Sequence, residues 1–353
     1  LARQALDNLP EASFARGLAA LVLGSASRFD GDLAESTEAF VEARMASMAA
    51  GNSYMAVTGT CQLAYTEMLA GQLRKAAQSC REALQMAEGA EGRYLPVAGY
   101  ALVYLGMAFC EWDNLQAAVR HSIQGIDLCK QVGYVVDQLV GYSTLARAHQ
   151  AAGDWESAGS ACQSAEQLSL RIKGSVYARR WAEECQIRLW SAQGKVSEIA
   201  RWIEDTDLRT DDEIGFAREL EPVILARALV AVGREQGGEP YLDDALDLLA
   251  RLLEMAESRR WMGKVIEILV LQALAHEFRG ETGEALGALQ RAMSFAEPEG
   301  YVRTFVDEGP AMRRLLTEAV ERGIEPDYAR RLLTGFEETT ADEGRRAEEP
   351  LEA

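Results

Sequence analysis

Apolar and small residues return along this chain at a nearly fixed interval, and that interval sets the expected architecture. A turn former at position 0, an apolar residue at +2 and a small residue at +5 occur as Gly31/Leu33/Ser36, Gly71/Leu73/Ala76, Asp113/Leu115/Ala118 and Gly153/Trp155/Ala158. Weaker copies follow at Gly194/Val196/Ile199, Pro240/Leu242/Ala245 and Gly280/Thr282/Ala285, so that the landmarks lie 40, 42, 40, 41, 46 and 40 residues apart. A period of this size belongs to a solenoid of stacked units, each burying its apolar face against its neighbours. Small residues recur at +12 and +16, as in Ala83/Ala87, Gly125/Cys129 and Ala292/Ala296, and again seven before the landmark at Gly24, Ala64, Gly106, Ala146 and Ala273. This spacing puts them on one stripe of a helix, where the lack of bulk lets two axes approach closely. The expected fold is all-α, a unit of helix A, short turn and helix B repeated about seven times after a partial first helix, over residues 1–298.

Units run over about 11–50, 51–92, 93–132, 133–173, 174–212, 216–258 and 259–298. Gly51, Gly133 and Gly174 are placed to end helix B in the left-handed conformation, and Asp32, Asn114 and Asp154 to cap the next helix. Two polar stretches, 206–212 and 233–240, interrupt the regularity. After Pro298-Glu299-Gly300 the pattern stops, and Arg313-Arg314-Leu315-Leu316 and Tyr328 to Leu333 predict short amphipathic helices, so 299–336 is expected to cap the last hairpin. Residues 337–353 carry seven acidic and two basic side chains without apolar periodicity and read as an acidic linker. Residues 1–10 read as the last turns of a helix whose partner lies upstream, which makes Leu1 a cut rather than a natural start.

Composition narrows the function classes. A formal charge of −19 weighs against direct nucleic-acid binding by this segment and against an anionic membrane surface, both of which call for clustered Lys and Arg. No apolar run approaches the roughly 20 residues that cross a bilayer. The six cysteines include no Cys-x-x-Cys pair and read as small packing residues of a reducing, cytoplasmic setting. Gly194-Lys195 and Gly263-Lys264 lack the upstream glycine and following hydroxyl of a phosphate loop, and no Gly-x-Ser-x-Gly elbow occurs. His121, His149 and His276 are far apart, without a second ligand at metal spacing; the last two share one repeat position and are expected to pack between helices. No metal site and no catalytic constellation is expected, and the chain reads as a binding protein rather than an enzyme.

The Leu-Gly/Ala of helix A, the Gly-Asp/Asn-apolar-x-x-Ala turn and the small residue at +12 resemble the tetratricopeptide repeat, at a period nearer 40 than 34. The long units, the run from Glu299 through Tyr301, Arg303, Phe305 and Asp307 to Gly309-Pro310, and the Arg-Arg-Leu-Leu helices are together similar to the superhelical sensor region of the large ATP-binding transcriptional regulators of the LuxR type, the family of the bacterial maltose regulon activator. The resemblance implies a right-handed superhelix of tandem helix-turn-helix repeats. It implies also that a small-molecule effector or protein partner binds the superhelix and thereby controls self-association and transcription. ATP would belong to an N-terminal module outside this segment, which itself needs no cofactor, and a DNA-binding domain would follow the acidic linker. A stand-alone scaffold binding partner peptides in its groove is the alternative.

In tetratricopeptide arrays helix A lines the concave surface. Aligned on the landmark, the inward positions fall about 13, 10, 6, 3 and 2 residues before it, and they include Tyr65, Tyr100, Met107, Arg147, Trp181, Glu184 and Arg188. Aromatic rings beside paired arginines suit a polar ligand or peptide, so these residues are the expected ligand site, centred on Tyr100, Arg147, Trp181 and Arg188. The competing reading is that the rings fill gaps between helices while the arginines pair with local carboxylates.

Overall fold

A computed structural model of the chain describes residues 2–89, 92–172, 175–211, 220–235 and 238–336. Gly174, expected to end a helix, and the expected acidic linker 337–353 lie outside the described residues. After α1 (Ala2–Asn8) come seven helical hairpins: α2 (Phe14–Phe29) with α3 (Leu33–Ala49), α4 (Ser53–Leu69) with α5 (Leu73–Met86), α6 (Ala98–Glu111) with α7 (Leu115–Val132), α8 (Val135–Ala151) with α9 (Trp155–Arg171), α10 (Val176–Gln193) with α11 (Val196–Asp205), α12 (Leu220–Gly233) with α13 (Glu239–Ser258), and α14 (Met262–Phe278) with α15 (Thr282–Ala296). Each helix packs on its sequence neighbours, which makes the array a tetratricopeptide-like superhelix. Among the described residues no β-strand forms, only an isolated bridge between Glu88 and Tyr94. Among the described residues no helix is long and apolar enough to cross a membrane.

Local chemistry accounts for the hairpins. The residue after helix A turns the chain through the left-handed region; Gly71 does so at φ +76°, and in the third hairpin Asp113 takes the same conformation at φ 60° despite its side chain. The following polar residue then caps helix B: the Asp32, Asn114 and Asp154 side chains accept from the amides of Glu35, Ala117 and Ser157 at 2.9, 3.2 and 3.1 Å. In the sixth hairpin, helix A ends at Gly233 and Pro240 lies inside the first turn of α13, where a missing N–H is harmless. The small stripe does what its spacing requires. A Cβ on Gly99 would lie 2.8 Å from the carbonyl of Gly125, and one on Gly125 would lie 2.9 Å from the carbonyl of Gly99, so α6 and α7 touch backbone to backbone. Ala64, Ala76, Ala118, Ala158 and Ala285 have no exposed surface, and all six cysteines are buried free thiols.

The superhelix closes on itself within the length of the chain. The turn at Gly71 abuts Met262 and Gly263 at the start of α14, and the turn at Gly31 abuts Arg259. Across the interior the Tyr65 and Tyr177 hydroxyls stand 3.4 Å apart. The chain then runs through a 3-10 turn (Glu297–Glu299) and α16 (Arg303–Val306) to α17 (Pro310–Glu321) and a helix at 326–336. Although α17 packs on α14 and α15, residues 299–309 do not stay at that end. They run into the interior as a strap: the Glu299 carbonyl accepts from Trp112 Nε1 at 2.9 Å, and the Val302 amide donates to the Glu111 carbonyl at 2.8 Å.

Candidate functional site

Three arginines occupy one column of the superhelix. Arg147 on α8, Arg188 on α10 and Arg227 on α12 each stand six residues before the glycine of their turn, Gly153, Gly194 and Gly233, so the repeat aims all three inward. A guanidinium buried in such a place needs carboxylates, and the strap and the facing helices supply them. Arg147 donates from Nε and Nη2 to Asp307 Oδ2 at 3.2 and 2.9 Å and from Nη1 to Glu111 Oε1 at 2.7 Å. Glu111 Oε2 in turn accepts from the amide and hydroxyl of Thr304 at 3.1 and 2.8 Å. Arg303 holds the other oxygen of Asp307 and reaches Asp113 at 3.3 Å. Arg227 donates to Glu308 at 2.6 Å and to Glu267 at 3.1 Å; Glu267 also takes Arg188 and, at 3.0 Å, Lys264. Arg188 Nε reaches Glu184 Oε1 at 3.1 Å.

The charges hold one another in place. Burial works against the Arg147 cation, yet Glu111 and Asp307 outweigh it and keep the group well above its ordinary value. Burial likewise would raise Asp307, but Arg303 and Arg147 hold its carboxyl below the usual range. Glu267 is held well below that range by Lys264, Arg188 and Arg227 against the effect of burial. Asp137, half-buried at the start of α8, is the opposite case: burial lifts it to about 7, against the smaller opposing effects of a backbone hydrogen bond and the Arg28 charge.

The strap divides the interior into two chambers that share Arg147, Arg188 and Arg227 as walls. The smaller, about 150 Å³, brings together six of the expected residues: Tyr65, Met107, Arg147, Trp181, Glu184 and Arg188. Two of these leave a buried polar atom without a protein partner among the described residues, the Trp181 Nε1 donor and the Glu184 Oε2 acceptor. Such atoms cost free energy until something fills the space with matching groups. Tyr100 does not join them. Its ring is 6% exposed and lies 4.8 Å from that of Tyr104, which also contacts Tyr65, so the expected centre at Tyr100 is sealed in the core. The larger chamber, about 390 Å³, is bounded by Gln150, Trp155, Ser191, Arg234, Phe278 and Arg313 among others.

Anchored on Pro240, Arg227 falls 13 residues before the landmark, itself an inward position, but no residue of the sixth unit stands among the expected site residues; anchoring that unit on Gly233 gives Arg227 the same place, six before, as Arg147 and Arg188. The carboxylates Glu111, Glu267, Asp307 and Glu308 cannot be matched to the arginine column from local spacing, because their partners in that column lie 36 to 160 residues away. His149 and His276, expected to pack between helices, face carboxylates across their turns instead: Nδ1 of each lies 3.5 Å from Asp154 and 2.7 Å from Glu281. Among the described residues no cluster of three or more His, Cys, Asp or Glu is arranged to hold a metal ion.

Comparison with known proteins places these features in a family. The family described as MalT-like TPR region matches residues 1–322. The HTH-type transcriptional regulator MalT of Serratia proteamaculans (strain 568) is 23% identical over 331 residues, covering 93% of this chain and 35% of that protein. The regulator of the same name from Yersinia pestis (strain Pestoides F) is 24% identical over 331 residues with the same coverage. The chain thus spans about a third of the length of the curated relatives it matches.

Proposed function

Because this chain belongs to the MalT-like TPR region family, we propose that it is the effector-sensing and interaction region of a bacterial LuxR-type, ATP-dependent transcriptional regulator working in the cytoplasm. A small molecule or partner protein engages the interior of the superhelix and so biases self-association and transcription activation by the whole regulator. ATP and DNA contacts belong to other parts of that regulator. The role of this region is binding, not catalysis.

The observation that carries the reading is the pair of polar atoms without a protein partner among the described residues at the smaller chamber, Trp181 Nε1 and Glu184 Oε2, set among arginines already fixed by carboxylates. A donor and an acceptor held beside one chamber suit a ligand that offers both. The strap also favours sensing over the alternative of a stand-alone scaffold. With residues 299–309 lying along Glu111, Arg147 and Arg227, an extended peptide following the groove would meet the strap, whereas a small molecule or a compact element of a partner would not need that path.

The test uses the full-length regulator carrying Trp181→Phe or Glu184→Gln, each of which removes one hydrogen-bonding capacity with little change of shape. A promoter-reporter dose response to the natural inducer should shift about tenfold or more toward higher concentration, with protein abundance unchanged. Superimposable curves for both variants would remove the proposal.

A further inference from the structure

We propose that the larger chamber is a binding site for an amphiphilic anion: an oxyanion head, carboxylate or phosphate, on a compact apolar body. The inference deepens the sensing reading and rests on it only for its regulatory meaning; the site's chemistry stands on the following observations.

The chamber's volume of about 390 Å³ falls in the range of ordinary small-molecule pockets, roughly 300–1,000 Å³, whereas its neighbour across the strap is smaller. One part of its wall is apolar, built by Val230, Leu271, Leu274, Phe278, Val306 and Phe336. The other part is cationic. Of the arginines lining it, Arg147, Arg188, Arg227 and Arg303 are committed to carboxylates at short range. Arg313 has no ion-pair partner among the described residues. Among the described residues Arg234 reaches only the largely exposed Glu235 beside it, at 3.6 Å, a contact worth little in water. Both are solvent-exposed while lining the chamber, which puts them at its mouth.

The negative side of the account is equally specific. The carboxylates lining the chamber, Asp307 and Glu308, are already held, the first by Arg147 and Arg303 and the second by Arg227. Neither is left to neutralise the arginines at the mouth. In a chain with 55 acidic and 36 basic residues, carboxylates to cover two guanidinium groups are plentiful, yet among the described residues none closely covers this pair beside an apolar cavity, which is what an incoming anion requires. The acidity of the remaining surface does not forbid it, since salt screens charges beyond about 8 Å at physiological ionic strength. The ligand's body enters between Phe278, Leu274 and Phe336, and its head remains at the mouth between Arg234 and Arg313.

Calorimetric titration of the 353-residue chain with 1-naphthoate, 1-naphthyl phosphate and neutral 1-naphthalenemethanol tests the assignment and separates the two heads. At least one anion should bind about tenfold or more tightly than the alcohol. In the double variant Arg234→Gln/Arg313→Gln that anion should fall to the alcohol's affinity, with the alcohol's affinity and the melting temperature unchanged. Trp181→Phe, which alters only the smaller chamber, should leave all three titrations as they are. Absence of an anion preference, its survival in the double variant, or its loss in Trp181→Phe would each overturn the inference. The reporter response to Trp181→Phe and Glu184→Gln is read separately. A shift there without anion binding here sinks this inference alone, and the reverse pattern sinks the sensing role alone.

Discussion

Arg147 on α8 and Asp307 in the strap, 160 residues apart in the chain, are joined by two N–H···O bonds of 3.2 and 2.9 Å to one carboxylate oxygen. Both side chains are largely buried and each has a second partner, Glu111 for the arginine and Arg303 for the aspartate. The pair therefore links the fourth hairpin to the segment that follows the seventh.

Removing one member strands the other without full compensation. Asp307→Asn should cost about 3–5 kcal/mol in urea unfolding. Arg147→Met should cost a similar amount, while the double variant should cost less than the sum by about 1–3 kcal/mol. Additive losses would show that the two groups do not depend on each other.

Two glycine-to-alanine changes should move stability in opposite directions. In α14 a Cβ on Gly263 would lie 2.8 Å from the Met68 carbonyl, a backbone atom, so Gly263→Ala should cost about 1–3 kcal/mol and spread the contact between the second and seventh hairpins. Gly287, inside α15, has nothing within 4 Å, and Gly287→Ala should gain about 0.5–1 kcal/mol. Thermal melts give both signs, and small-angle scattering should show a larger radius for Gly263→Ala alone.

The buried carboxylates respond to pH in two senses. Asp307 and Glu267 have folded values below their unfolded ones, so their contribution is present above the ordinary carboxylate range and is lost as pH falls through the depressed values. Asp137 is raised from 3.8 to about 7, so the folded chain holds its proton more tightly and this group's contribution declines as pH rises between those values. Asp137→Asn should then be close to neutral at pH 4 and stabilising by about 3–5 kcal/mol at pH 8. A difference from the parent that does not vary with pH would refute the assignment.

Much of the fold is written in the spacing of small residues, because a helical hairpin is a local object and its turn glycines and caps fall within 40 residues of one another. The inward positions of helix A follow from the same register, which is how Tyr65, Met107, Arg147, Trp181, Glu184 and Arg188 come to line one chamber. Where the register slips, at the long turn before α13, Arg227 no longer lines up with Arg147 and Arg188, and its place in their column is hidden. Tyr100 misleads for another reason: it sits at a position formally on the concave side, but it is buried, with the ring of Tyr104 from the next turn of the same helix against it. The strap's route depends on contacts spanning up to 225 residues, and no periodicity encodes those.

The strap also changes how the chain can come into being. A solenoid whose units meet only their neighbours can assemble from any point and grow outward. Here Glu299 must meet Trp112 and Arg74, so a ribosome has to release almost the entire ribbon before its third hairpin acquires its final partners. Early hairpins wait half-finished in the nascent chain, and a single late docking event converts a string of separable units into one cooperative body.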